Sequence, residues 1–241
     1  VDFHCHPDLY NDNFRTIKLA KEYNFKIIAM TNLPVLYKKY CELFKNEEAV
    51  IFSLGYHPQL VSEYPNEIDT FLSYIHDTKF IGEIGLDNSL NQLEYIEKQK
   101  EIFGKIIFEC NRIGNKIISI HSKKADSIIF DFLQKGSCIY ILHWYTGNLK
   151  KLLNAMTEDE NIYISVNSNM INTINGRKII EEVSLTKILL ETDAPFTNLT
   201  KKTYHKDILW STANSISKIK NCELQLVLRS IEKNSKKIIL G

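Results

Sequence analysis

Eight short apolar runs, spaced fairly evenly along 241 residues, constrain this chain more than any other feature. They are Val1–His6, Lys26–Asn32, Ala49–His57, Phe80–Asp87, Lys116–His121, Cys138–His143, Asn161–Asn167 and Lys187–Asp193. Their centres are apolar on successive residues, as in Ile27-Ile28-Ala29, Val50-Ile51-Phe52 and Ile139-Tyr140-Ile141. Strands of that kind are buried on both faces, which is the habit of parallel sheets covered by helices. The segments between them carry helical spacing. In Gln92–Arg112, the residues Leu93, Ile96, Phe103, Ile107 and Cys110 share one face, with charged residues elsewhere. Pro34 and Pro65 sit near helix starts. Gly114 and Gly136 read as C-terminal caps. Asn221-Cys222-Glu223 divides the tail into helices over Lys206–Lys220 and Glu223–Lys236. The pattern predicts an α/β fold, a (β/α)8 TIM barrel, with residues 1–241 forming one domain. The alternative is an open doubly wound sheet. That fold usually carries G-x-G-x-x-G after its first strand, and none follows here.

Composition narrows the classes further. Hydrophobic residues make up 44% of the chain, enough for a large core. Thirty basic residues balance 29 acidic ones, for a net charge of +1. No strong overall field draws such a chain onto nucleic acid or a membrane, although a local basic site stays open to it. No run of about 18 uncharged apolar residues offers a membrane span. Val1-Asp2-Phe3-His4 does not read as a signal peptide. Five scattered cysteines, an odd number without a C-x-x-C pair, fit a reduced cytoplasm rather than a disulfide framework or a zinc knuckle.

The histidines fall where a barrel keeps its chemistry. His4 and His6 end the first strand, His57 the third, His121 the fifth and His143 the sixth. Glu83 lies in the fourth strand and Asp193 ends the eighth. All those ends open onto one face, so residues far apart in sequence would converge there. Alternate residues of a strand point the same way, so His4 and His6 can face one ion. A carboxylate such as Glu83 amid apolar strand residues is expensive to bury unless it is paired or bound to a cation. Taken singly, each residue has a plainer reading. A strand-end histidine packs or caps, Glu83 pairs with Lys79 or Lys123, and Asp193 caps a turn. Taken jointly, the imidazoles and carboxylates on one face favour a metal site. His57 is a candidate for substrate contact or for orienting a ligand, and Asp8 and Asp87 for orienting or loop capping. Lys123 could meet phosphate. Trp144 and Tyr145 could stack on a base or pack. His76 and His205 read as surface residues.

Six segments resemble the TatD family of metal-dependent deoxyribonucleases, which are amidohydrolase-like barrels. They are Phe3-His4-Cys5-His6, Gly55-Tyr56-His57-Pro58, Gly82-Glu83-Ile84-Gly85-Leu86-Asp87, Ile120-His121-Ser122, Leu142-His143-Trp144-Tyr145-Thr146-Gly147 and Glu191-Thr192-Asp193-Ala194-Pro195, in family order. Gln99, Phe103 and Asn234 are similar to positions in the family's helices. The resemblance implies a metal-dependent hydrolase holding two divalent ions, magnesium, manganese or zinc. His4, His6 and Asp193 would bind the first, His121 and His143 the second, and Glu83 both. His57 resembles a position that approaches the substrate phosphate. The chain departs from the family after Pro195, where an arginine-rich segment is missing, at Lys123 in place of arginine, and at Ser165-Val166-Asn167-Ser168 in place of a more glycine-rich strand end. His143-Trp144 with Asp193-Ala194-Pro195-Phe196 resembles the TatD-like subunit of Qat-type antiphage defence systems, which implies partner subunits.

The expected reaction is hydrolysis of DNA phosphodiesters by a hydroxide activated between two ions about 3.5–4 Å apart. Asp193 would take the proton and Glu83 would set the spacing. Two alternatives stay open. One is hydrolysis of a small cyclic amide, lactone or phosphoester, since fold does not fix substrate. The other is a mainly structural subunit of a defence complex.

Overall fold

The computed structural model describes residues 1–10, 13–197, 200, 204 and 207–241. His205, Lys206 and part of the segment after Pro195 therefore lie outside the described residues. The strands are β1 (Asp2–Cys5), β2 (Ile27–Ala29), β3 (Val50–Phe52), β4 (Phe80–Gly85), β5 (Ile117–His121), β6 (Ile139–His143), β7 (Ile162–Val166) and β8 (Ile188–Leu190). The helices are α1 (Asn13–Glu22), α2 (Pro34–Leu43), α3 (Glu67–Tyr74), α4 (Leu93–Ile113), α5 (Asp126–Ile129), α6 (Leu149–Glu158), α7 (Ser168–Ile171), α8 (Ile174–Glu182), α9 (Ile208–Ile219) and α10 (Leu224–Leu240).

Every paired strand runs parallel to its neighbour, in the order β1-β2-β3 and β4-β5-β6-β7-β8. Backbone hydrogen bonds close the two seams. Leu54 bridges to Ile81, with Leu54 N–H donating to Phe80 O at 3.0 Å and Gly82 N–H to Leu54 O at 2.8 Å. At the other seam Asp193 N–H donates to His4 O and His6 N–H to Ala194 O, both at 2.8 Å. The result is the expected (β/α)8 barrel.

Period-two alternation sorts the strand residues into two cores. Ile28, Ile117, Ile141, Tyr163 and Leu189 pack together inside the barrel, with Ile238 of α10 among them. Their neighbours Ile27, Ala29, Ile118, Tyr140, Leu142, Ile162, Ile164, Ile188 and Leu190 pack outward under the helices. Two strands break the alternation. In β1, Asp2 pairs with Ile27 and Cys5 with Ala29, so three steps oppose two. In β4, Ile81 pairs with Ile118 and Ile84 with Ile120, again three against two. The extra residue is a bulge, a device that re-aims a side chain. Asp2 and Cys5, or Ile81 and Ile84, can then hold their outer register while Phe3 joins the inner core and both His4 and Glu83 turn to the mouth.

The elements fit the reading of their sequences with three corrections. Leu93 does not share the buried face of α4, being 82% exposed. Leu93 is the first residue of α4, and the buried positions of that helix begin only at Ile96. Gly136 caps no helix, because the chain before it is the short turn Phe130–Phe132 followed by irregular residues and a bend. Gly114 does cap α4, with φ of 81° and its N–H on Cys110 O. Third, β3 ends at Phe52, so His57 stands five residues beyond the strand rather than at its tip. Asn234 of α10 ties that helix to the barrel floor by donating to Leu185 O and Ile188 O, both at 2.8 Å. Cys110 and Cys138 are buried as small core residues, and all five cysteines are free. Among the described residues no helix is long and apolar enough to cross a membrane.

Candidate metal centre

The barrel mouth gathers the buried His4, His6, Glu83, His143 and Asp193 and the half-buried His121 into one cluster beneath a cavity of about 650 Å³. His4 and His6 present their Nε2 atoms to each other at 3.2 Å. Ser119 Oγ, 2.8 Å from His4 Nδ1, fixes that ring's orientation. The His143 ring stacks on His4 with centroids 3.8 Å apart.

Glu83 faces two ways. Its Oε2 lies 3.3 Å from His6 Nε2 and 3.6 Å from His4 Nε2. Its Oε1 lies 2.6 Å from His121 Nδ1 and 3.0 Å from His143 Nε2. Asp193 Oδ1 approaches His4 and His6 Nε2 at 3.7 and 3.8 Å. The two nitrogens and Glu83 Oε2 thus converge at mutual separations of 3.2–3.6 Å, with Asp193 Oδ1 3.7–3.8 Å from both nitrogens. A tetrahedron built on bonds of about 2.0–2.2 Å has edges of about 3.3–3.6 Å. The donor set fits a divalent cation in both chemistry and span. His4, His6 and Asp193 form one group spaced to hold an ion; spacing alone also groups His57 with Glu83 and His121, and His4 with His143 and Glu191.

Electrostatics reflect the crowding. Burial works to raise the Glu83 carboxyl, but the imidazoles of His57, His143, His121 and His4 hold it well below the ordinary carboxylate range. Burial pushes Asp193 up to about 7, with Glu191 and Glu83 adding to it against the pull of His143 and His6. Burial lowers His57 to about 4, helped by His121 and His6. The neutral His57 ring has a defined tautomer. Its Nδ1 accepts the Gln59 N–H at 3.2 Å, so Nε2 carries the proton and faces Glu83 Oε2 at 3.7 Å. His57 enters the site as a hydrogen-bond donor.

The other sequence candidates divide. Asp87 sits behind His121, its Oδ2 3.0 Å from His121 Nε2 and 2.8 Å from Gln59 Nε2. Gln99 in turn holds the Asp87 backbone through its N–H and carbonyl. Lys123 is exposed at the cavity rim and Trp144 half-buried in its wall. Tyr145 is not available to a base; it is fully buried, packed on Phe130, with its hydroxyl on Asn148 O. Glu83 pairs with imidazoles rather than with Lys79 or Lys123. His76 is exposed.

Glu191 is a carboxylate that sequence reasoning missed. It is fully buried and accepts from Trp144 N–H at 3.1 Å, from Asn167 Nδ2 at 2.8 Å and from Ser165 Oγ. Its Oε1 also lies 3.5 Å from His143 Nδ1. Ser165 and Asn167, which replace the family's glycine-rich strand end, are its donors. That pairing was the available signal: two unusual polar residues ending one strand beside an acid ending the next. Glu191→Ala strands three buried donors and is expected to cost roughly 2–3 kcal/mol. A thermal melt should fall by roughly 5–10 °C; a shift below about 1 °C would refute this role.

The comparisons agree with the geometry. A sequence model of the family described as TatD related DNase matches residues 1–240. An uncharacterized metal-dependent hydrolase of Methanocaldococcus jannaschii is 28% identical, covering 98% of this chain and 94% of its own. Human deoxyribonuclease TATDN3 is 25% identical, covering 99% of this chain and 93% of its own. Among solved structures, the TatD homolog YjjV from Escherichia coli superposes with a TM-score of 0.84 at 18% identity, over 100% of this chain and 97% of that one.

Proposed function

Since the chain belongs to the family of TatD related DNases, we propose that it hydrolyses DNA phosphodiester bonds at the barrel mouth with two divalent cations. His4, His6 and Asp193 would hold one, His121 and His143 the other, and Glu83 both. The observation that carries this is the double-facing Glu83, which turns one oxygen to His4 and His6 and the other to His121 and His143.

Bound cations would supply the positive charge that makes water a competent nucleophile and offsets charge building on the phosphate. The chain's own groups do the rest. Asp193 accepts the proton of the attacking water at its carboxylate. His57 offers its Nε2–H to a phosphate oxygen, in the tautomer that Gln59 enforces. Lys123 at the rim meets the flanking backbone of the strand as a point charge. Asp87 and Gln99 keep the His121 ring from turning. The ligand set, four imidazoles with two carboxylates, suits zinc or manganese better than magnesium.

Purified protein stripped with chelator and reloaded with manganese, zinc, cobalt or magnesium tests this on single- and double-stranded DNA. Cleavage is expected only after reloading. Absence of cleavage with every metal sinks the reading. The His143-Trp144 and Asp193–Phe196 pattern supports a place beside other subunits of a defence system, which co-purification from native cells tests.

A further inference from the structure

We propose that Trp144 is the platform on which a nucleobase of the substrate stacks, so that the site grips a base by its face beside the phosphate it cuts. This rests on the cavity being a phosphodiester-hydrolysing site.

Four observations support it. Trp144 lines the same cavity as Glu83, His143 and Asp193, directly after His143 in the chain. It is half-buried, packed on the core along one side and open to the cavity on the other. Its backbone adopts φ of +40°, an unusual conformation for a bulky residue, and its N–H is held at 3.1 Å by the fully buried Glu191. A half-buried tryptophan that packs on the core and also lines the reactive cavity is placed to offer a stacking surface. Phe196 stands on the other flank of the imidazole row, 52% exposed and edge-on to His6 at 5.3 Å between centroids.

The chain's charge points the same way. Proteins that hold nucleic acid by its phosphates depend on many basic contacts, and this one has a net charge of +1. Stacking supplies affinity without a basic field and without reading base edges, because every base has a π-face. The cavity, about 650 Å³, has the size of sites that enclose compact organic ligands, which a nucleotide is.

Oligonucleotides with an abasic residue placed on either side of the cleaved bond test this. With wild-type protein, one of the two positions should lose roughly 10–100-fold in kcat/KM. Trp144→Ala should show that same loss on the normal oligonucleotide and no further loss on the abasic one. Trp144→Phe should keep most of the activity, and metal content should be unchanged in both variants. An equal fall on both substrates with Trp144→Ala, or no abasic effect in wild type, overturns the proposal. The chain has two tryptophans, so Trp210→Phe leaves Trp144 as the only indole fluorophore. Quenching of that variant by a nucleoside monophosphate is expected, and its absence overturns stacking. That measurement holds even if no oligonucleotide is cut, an outcome that would instead remove the nuclease reading.

Discussion

Glu83→Ala should leave a folded barrel whose purified form carries less than one divalent ion per chain and whose metal-dependent cleavage is down by at least roughly a thousandfold. The size of the effect follows from how much converges on one side chain. Among the described residues, Glu83 is the sole carboxylate within 3.6 Å of imidazole nitrogens from β1, β5 and β6 together. Without it, the oxygen facing His4 and His6 and the oxygen facing His121 and His143 disappear at once. The imidazoles left behind, His143 stacked on His4 at 3.8 Å, lose the negative charge that offsets any proton or cation among them. Glu83→Gln keeps the volume but not the charge and should lose metal nearly as completely, which separates electrostatics from packing. Elemental analysis and cleavage rates check both variants. Retention of two ions, or activity within tenfold of wild type, would mean that Glu83 joins no metal site.

The strands were legible because a barrel strand is apolar on both faces, and that leaves uninterrupted Ile, Val and Leu runs that few other folds need. The metal-site candidates were legible because a barrel puts its chemistry at strand ends, so histidines recurring near such ends are a pattern even when each alone means little and even though His57 lies in the loop beyond its strand. What could not be read was the register. Nothing in Phe3-His4-Cys5-His6 or Ile81-Gly82-Glu83-Ile84 announces an extra residue in the ladder. A bulge is a property of how a strand pairs with its neighbour, not of its own residues alone. Glu191 was missed for a related reason. Its meaning lies in Ser165 and Asn167 on the neighbouring strand, a pairing 24–26 residues away. Gly136 misled because a glycine after an apolar run looks like a helix cap wherever the helix stops, and here the helix had already ended at Ile129.

Gly55→Ala is the substitution expected to damage the fold most, and it shows how tightly the seam and the site are tied. A Cβ on Gly55 would sit 1.7 Å from Thr31 O, 2.6 Å from Gly82 O and 2.7 Å from Glu83 N. All three are backbone atoms, and none can swing aside. They belong to the weave that closes β2, β3 and β4 against one another. Gly55 N–H donates to Thr31 Oγ1 at 3.0 Å, Thr31 Oγ1 donates to Ser53 O at 2.8 Å, and Tyr56 N–H donates to Glu83 O at 3.0 Å. To admit the methyl, β4 must move away from β2, and Glu83 moves with it. The expected result is a loss of about 4 kcal/mol or more, at the severe end for a single substitution. It should appear as insoluble protein or a melting temperature lowered by roughly 10 °C. Gly136→Ala is the matched control: its Cβ would meet only the Asn111 side chain, at 3.3 Å, and it should melt within about 2 °C of wild type. Any Gly55→Ala protein that does fold should bind less metal than Gly136→Ala, since the displaced strand carries Glu83. A Gly55→Ala chain that melts like wild type and holds its full complement of ions would show that the barrel yields at this seam without disturbing the mouth.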